Sequence, residues 1–256
     1  SIYVASLLVM HTSLFPKEDA VKYEVKLFDE NLKSFFETSE KVKFDDSKKD
    51  YEFTIADFEL NYQDDVFLVI NESYRDSKKK EQIEKFEVHA FKKANAYKKE
   101  VIDVNIKGKE IINCELFSTN KNTLKLVSFY SSVRDNGKAN KELKGIYNFT
   151  VDLATNASDN LKFNEFDYAT KVKLLGERKA KKGKDVKPLY NITTLIEKED
   201  GGMIVLSELQ FIYVGKSSGI GPLAFTPVTY TKNENIVTCL KPDGSLEWSN
   251  VVAKEQ

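Results

Sequence analysis

The sequence predicts an all-β chain, and two kinds of apolar run in its 256 residues support this. Many of the 17 phenylalanines and 12 tyrosines lie in short runs that alternate with polar residues, the pattern of strands with one buried face. Other runs are continuously apolar, as expected for strands buried on both faces. The alternating runs include 21–28 and 86–91, and the continuous ones include 66–70, 124–130 and 203–206.

Turn signals between these runs recur at a regular spacing and indicate an internal repeat. Each repeat contains four strand-like runs, which we label A to D. Turns between C and D are centred near Asn31, Ala94, Asn156 and Gly244, and turns between A and B near Asp64, Lys121 and Asp200. Both series repeat roughly every 60 residues, with one interval longer by about 20 residues. The two long intervals overlap between residues 156 and 200, which predicts a single insertion there.

The insertion, near residues 166–187, differs from the rest of the chain in composition. Tyr168, Val172 and Leu175 have the spacing of one helix face, and good helix formers lie between them. We therefore expect a short helix, followed by a basic loop that ends at Pro188.

Four strands in a repeat of this length are typical of a β-propeller blade. The sequence therefore predicts one domain over residues 1–256, a β-propeller or partial propeller of about four four-stranded antiparallel blades with one short helical insertion. The repeat units are about 1–50, 51–107, 108–187 and 188–256, and the first lacks its A strand. In the first C–D turn, we expect Asn31 to adopt the left-handed conformation.

Two turn motifs in the last repeat carry a family resemblance. An Asp-Gly-Gly turn at residues 200–202 precedes the apolar run 203–206, and a closing hairpin with Pro-Asp-Gly covers residues 236–248. With the preceding insertion, this resembles the poorly characterised β-propeller-like repeat proteins of the Gram-negative bacterial envelope, over most of residues 20–253. The resemblance implies a propeller-like fold and an extracytoplasmic location, in the periplasm, at the outer membrane or secreted. It implies no catalytic residue.

Composition argues against several classes of function. With 39 basic and 40 acidic residues, the net charge of −1 gives no whole-chain reason to expect nucleic-acid binding. Two cysteines and two histidines are too few for a disulfide scaffold, a cysteine-rich zinc site or a multi-histidine metal site. No apolar run approaches the ~20 residues of a membrane-spanning helix. We predict neither a cofactor nor a metal.

The B–C loops and D–A connections contain nearly all of the loop length and would emerge on one face of a propeller. The predicted B–C loops are 12–20, 74–85, 132–142 and 215–227. Long loops on a rigid scaffold often bind partners, although insertions there also cost little. The candidate binding residues are basic and hydroxyl side chains in these loops: Arg75, Lys78, Arg134, Lys216, Ser217 and Ser218.

Other suggestive residues have simpler structural interpretations. The segment 215–222 begins with Gly-Lys-Ser but precedes a strand, so it is interpreted as a flexible loop and not as a phosphate loop. We expect His11 and His89 to be structural. Cys114 and Cys239 are expected to be small buried residues, with a disulfide as the alternative in an oxidising compartment. Lysine-rich stretches have acidic neighbours and are interpreted as solvated surface.

Three functional hypotheses remain open. The first is a non-enzymatic binding or scaffold module of the cell envelope, whose B–C/D–A loop face binds protein, peptide or glycan. The alternative is a carbohydrate-active hydrolase with paired carboxylates at the propeller centre. The third is a purely structural part of a larger envelope assembly. No catalytic constellation is evident in the sequence, which favours the first hypothesis.

Overall fold

The computed structural model describes residues 4–12, 20–43, 48–76, 78, 81–104, 106, 108–119, 121–133, 140–218 and 225–254. These residues form two compact units, which we call unit 1 (the described residues up to 106) and unit 2 (those from 108 onward). Both units consist mainly of antiparallel strands, as predicted. In every sheet, neighbouring strands follow one another along the chain.

Unit 1 contains a three-stranded and a four-stranded sheet. The first has the order β1 (Val4–Thr12), β2 (Ala20–Phe28), β3 (Ser34–Lys43), and the second β4 (Lys48–Leu60), β5 (Val66–Asp76), β6 (Glu81–Phe91), β7 (Lys99–Val104). The core of unit 1 joins both sheets: Tyr23, Val25 and Leu27 of β2 are buried in one cluster with residues of β5 and β6.

Unit 2 contains two four-stranded sheets and the helical insertion between them. The first sheet has the order β8 (Lys109–Ser118), β9 (Thr123–Ser132), β10 (Gly145–Asp152), β11 (Ser158–Glu165). The helices α1 (Tyr168–Leu175) and α2 (Glu177–Lys181) follow. The second sheet has the order β12 (Tyr190–Glu197), β13 (Met203–Val214), β14 (Val228–Leu240), β15 (Leu246–Val252). Phe129, Ile146, Val205 and Ile236 are among the residues of its buried core.

The four sheets follow the order of the predicted repeat units, although β4 of the second sheet begins at Lys48, before the predicted boundary. The first sheet has three strands, where an A strand was expected to be missing. The sheets formed by the described residues are open, so the ring arrangement of a propeller stays a prediction, as does the single domain. The predicted short helix is present as α1. The basic stretch after it was expected to be a loop, but it contains the second short helix α2.

A tight turn of one geometry joins strands in all four sheets. The backbone N–H of its first residue donates to the carbonyl of its fifth, over 2.8–3.0 Å, and the fourth residue has a positive φ. This is the hairpin loop in which a left-handed residue follows a type I turn. The left-handed residues are Leu32, Asp64, Asn122, Gly201 and Gly244. The prediction that Asn31 adopts the left-handed conformation was therefore wrong by one residue. The Asp29 carboxylate accepts hydrogen bonds from the N–H groups of Asn31 and Lys33, and in this arrangement Leu32 is the left-handed residue.

One predicted loop is much shorter than expected. β5 extends to Asp76 and β6 begins at Glu81, so the predicted loop 74–85 contains only residues 77–80 between its strands. Polar residues at these strand ends suggested a loop, but they alternate with Tyr74 and Ile83, which form a cross-strand pair. Among the described residues, neither the two α-helices nor the 3-10 helix at Lys93–Asn95 is long enough to cross a membrane.

Candidate functional site

The candidate residues chosen from sequence fall into separate places. Arg75 is exposed near the end of β5, and the exposed Lys78 donates its backbone N–H to Asp76 Oδ1 at 2.8 Å, both in unit 1. Lys216, Ser217 and Ser218 are exposed after β13 in unit 2. Arg134 lies outside the described residues. Their role in binding stays a prediction.

A cleft of about 500 Å³ lies in unit 2, between the helical insertion and the hairpin of β13 and β14. The insertion is the D–A connection that leads into the last sheet, and the hairpin is the B–C connection of that sheet; the sequence predicted that these two segments share a face. Most of the lining is apolar, with a few polar groups among it. The lining residues are Leu174, Leu175, Lys179, Val186, Lys187, Leu189, Tyr190, Leu209, Phe211, Asn233 and Glu234.

Local interactions hold the helical wall of the cleft in place. The Asp167 carboxylate caps α1 by accepting the N–H of Thr170 at 2.7 Å. The Lys171 side chain is only 9% exposed, and its ammonium forms ion pairs with Glu165 at 3.0 Å and Asp185 at 3.2 Å. Because these carboxylates come before and after the two helices in sequence, Lys171 joins both ends of the insertion.

A β-bulge shapes the opposite wall. Glu208 pairs with Asn235 and Gln210 pairs with Lys232, so Asn233 and Glu234 together face the single residue Leu209. Bulges redirect side chains and are common beside functional sites. Here the Tyr190 hydroxyl donates to Glu234 Oε1 at 2.7 Å. Burial, this hydrogen bond and the negative charge of Glu234 raise the pKa of Tyr190, so the phenol stays protonated.

The polar groups of the cleft are unevenly paired. Asn233 Oδ1 is buried and has no hydrogen-bond donor within the described part of the chain. Lys179 and Lys187 are exposed, and among the described side chains neither forms an ion pair. Between residues 168 and 187 the sequence has eight basic and two acidic residues. The cleft therefore combines an apolar lining with a positively charged rim, a combination suited to an apolar ligand with an anionic group.

Beyond the cleft, β13 and β14 continue as a two-stranded ribbon of residues 210–214 and 228–232. Leu209 and Phe211 both line the cleft, so alternation places Ile212 and Val214 on the other face of the ribbon. That face also carries Val228 and Tyr230, which pair with Val214 and Ile212. These four apolar residues are 47–71% exposed. An isolated two-stranded ribbon is only marginally stable in water, so this surface is suited to contact with another molecule.

One edge of the ribbon also has open backbone positions. The N–H of Gln210 donates to Leu189 O at 2.8 Å on the β12 side, and that of Gly215 to Pro227 O at 2.8 Å on the β14 side. Successive residues of a strand direct their backbone N–H and C=O groups to opposite sides. Ile212 and Val214 therefore direct their N–H and C=O groups to the β12 side, as Gln210 does. β12 begins at Tyr190, opposite Leu209, so no described strand pairs with Ile212 and Val214 on that side.

A different polar group is buried in unit 1. The Tyr23 hydroxyl lies 2.6 Å from His89 Nδ1, and His89 Nε2 lies 3.1 Å from Glu87 Oε2. Burial lowers the pKa of His89 and raises that of Tyr23, which keeps the imidazole neutral and the phenol protonated. This hydrogen-bonded chain joins β2 to β6 inside the core, in agreement with the structural role expected of His89.

The remaining chemically reactive groups are arranged simply. Cys114 and Cys239 are both buried and are not joined in a disulfide, which agrees with their interpretation as small buried residues. Over the described ranges, no group of three or more His, Cys, Asp or Glu side chains could hold a metal ion. Among the described residues of the cleft lining, the one carboxylate is that of Glu234.

Sequence reasoning missed the cleft, although it identified the insertion and the loop beside it. Lys179 belongs to a lysine-rich stretch that is interpreted from the sequence as solvated surface, and Lys187 to the basic loop expected before Pro188. A usable signal was the uninterrupted apolar run 211–214 at the outer end of a strand, where a polar edge would be expected. Searches of protein-family models and of curated protein sequences find no match to this chain.

Proposed function

We propose that this chain is a non-enzymatic binding or scaffold module of the bacterial cell envelope. In this proposal the four antiparallel sheets are blades of a β-propeller or partial propeller, and the ligand binds where the insertion meets the β13–β14 hairpin. The envelope location is inferred from the family resemblance alone. The protein, peptide or glycan partner would contact the cleft and the ribbon.

One observation carries the proposal: an apolar cleft and an exposed apolar ribbon lie side by side at the same end of one sheet. Buried central strands provide the rigid support that binding loops need. In β9, for example, six of the ten residues are consecutively buried, from Leu126 to Ser131. The sequential strand order and the burial of central strands on both faces also support the blade interpretation.

The experiment is a parallel screen of the full chain against a glycan array and a library of random peptides. A Phe211→Lys variant is screened beside it, because Phe211 lines the cleft and is already 39% exposed. Phe58→Lys is the matched control, since Phe58 is 45% exposed on β4 in unit 1. Ligands that bind the wild type and the control but not Phe211→Lys would support the proposal.

Two results would contradict it. The first is that neither screen yields a ligand. The second is that ligands are found whose binding is the same in all three proteins, which would exclude this end of the sheet. Release of sugar from any bound glycan would instead favour the hydrolase alternative.

A further inference from the structure

Three features of unit 2 restrict what kind of ligand the proposed site would accept. They are the open backbone edge of β13 at Ile212 and Val214, the apolar cleft beside it, and the lysines on the cleft rim. An open strand edge is completed by an extended peptide, which adds as a further strand and pairs through its main chain. A glycan or a lipid cannot supply this repeated pattern of N–H and C=O groups.

The direction of an added strand follows from the position of β12. A strand that pairs with Ile212 and Val214 would lie in line with β12, next to the end of β12 that begins at Tyr190. If it pairs antiparallel to β13, as β12 does, it runs in the same direction as β12. The added strand then ends facing Leu189 and Tyr190, which line the cleft. An antiparallel peptide therefore presents its C-terminal end to the cleft.

The charges at this point favour a C-terminus. Lys179 and Lys187 line the cleft and form no ion pair with any described residue. A terminal carboxylate would complement them, whereas the terminal ammonium of a parallel peptide would be repelled. Side chains of the added strand would alternate between the Phe211 side of the ribbon and the apolar side formed by Ile212, Val214 and Tyr230.

We infer that the β13 edge and the cleft bind the extended, apolar C-terminal segment of a partner protein, with its carboxylate between Lys179 and Lys187. The inference rests on the proposed function and specifies its ligand. Main-chain pairing gives the peptide its position, the apolar surfaces on both faces of the ribbon select β-branched or aromatic side chains, and the lysines select a free C-terminus.

The test uses a library of octapeptides with free C-terminal carboxylates and randomised final five positions, screened against the full chain. The best peptide is resynthesised with a C-terminal amide, and both forms are titrated by fluorescence anisotropy. We expect the acid to bind at least about tenfold more tightly than the amide. The double variant Lys179→Glu, Lys187→Glu should remove this preference and leave the binding of the amide nearly unchanged.

A second pair of variants tests the main-chain pairing. Ile212→Pro removes the outward N–H and is placed where an edge strand tolerates proline, while Ile212→Thr retains the N–H and the β-branch. We expect Ile212→Pro to weaken binding at least about tenfold, and Ile212→Thr to retain most of it. The lysine variant lies outside the ribbon, so it tests the inference independently if Ile212→Pro disturbs the hairpin.

The inference is overturned if the library yields no binder, if acid and amide bind equally, or if dodecanoate binds the cleft while no peptide does. Its failure can be told apart from failure of the proposed function. Glycans or other ligands that are lost in Phe211→Lys would leave the binding function intact even with an empty peptide library. Ligands of every class that are unaffected by Phe211→Lys would contradict both.

Discussion

The central hairpins of two sheets, β5–β6 and β13–β14, have buried inner ends but opposite outer ends. β4 pairs with β5 as far as Asp76, and the outer end of that hairpin has charged residues at positions 72, 75, 76, 81, 84 and 85. β12 begins opposite Leu209, and the ribbon beyond that point has no charged residue in 211–214 or 228–231. Exposed edges are usually protected by charge. The comparison therefore identifies the β13 edge, which no described strand covers and which carries no charge, as the part of the molecule available for contact.

The largest expected effect is a difference in stability between two variants, one at the inner end and one at the outer end of the β13–β14 hairpin. Ile236→Ala removes a fully buried side chain of the unit 2 core and should lower the free energy of unfolding by about 2–5 kcal/mol. Ile212→Ala makes the same truncation at a residue that is 59% exposed and should change it by less than about 0.5 kcal/mol. Urea denaturation of both variants measures the difference. A large loss in Ile212→Ala would mean that the ribbon is covered in the free protein.

A smaller effect tests the opposite, tight-turn end of the same sheet. Gly201 is the left-handed residue of the β12–β13 turn, with φ of 88°, and an added Cβ would meet nothing closer than Lys121 Nζ at 3.6 Å. Gly201→Ala therefore isolates backbone strain and should cost about 1 kcal/mol. Ser217→Ala, at the exposed ribbon end, should cost less than about 0.5 kcal/mol. Equal thermal unfolding of the two variants would show that the turn end is no more constrained than the ribbon end.

The turns and the sheets could be predicted from sequence because their signals are local. Asp, Asn and Gly at turn positions act on their own neighbours through side-chain capping and a left-handed backbone. The same locality explains the error at Leu32: two hydrogen bonds to Asp29, and not the preference of Asn31, determine which residue is left-handed.

The cleft could not be predicted in the same way because its walls are distant in sequence. Leu174 and Leu209 come together only when the insertion packs beside β13. The bulge that directs Glu234 toward Tyr190 depends on a register shift between two strands. No residue pattern in β14 predicts this shift. The uncovered ribbon follows from the lengths of two neighbouring strands, since β12 has 8 residues and β13 has 12.

Two glutamates sharpen the comparison of the two hairpins, because their carboxyl groups have pKa values shifted in opposite directions. Glu208, at the base of the ribbon, forms ion pairs with Lys254 at 2.5 Å and Lys232 at 3.2 Å. These contacts lower its pKa from 4.5 to about 2, with the hydrogen bond from Lys254 the largest cause. Burial at the outer end of β5–β6 raises the pKa of Glu84.

The opposite shifts predict opposite pH dependence. The stabilising contribution of Glu208 is complete above the ordinary pKa of 4.5 and is lost as the pH falls toward 2, so Glu208→Gln should destabilise at pH 7 and have little effect near pH 2. The ionised Glu84 carboxylate is destabilising at neutral pH and becomes protonated on acidification. Glu84→Gln should therefore stabilise the protein at pH 7, and this gain should shrink as the pH falls through the raised pKa.

Both effects should be the smallest of those proposed, because the lysines around Glu208 contact solvent and because hydrogen bonds from Asn71 and Ser73 partly offset the cost of burying the Glu84 carboxylate. Urea midpoints of each variant and the wild type at pH 7 and pH 3 measure them, and the same sign for both variants at pH 7 would remove the electrostatic contrast between the hairpins.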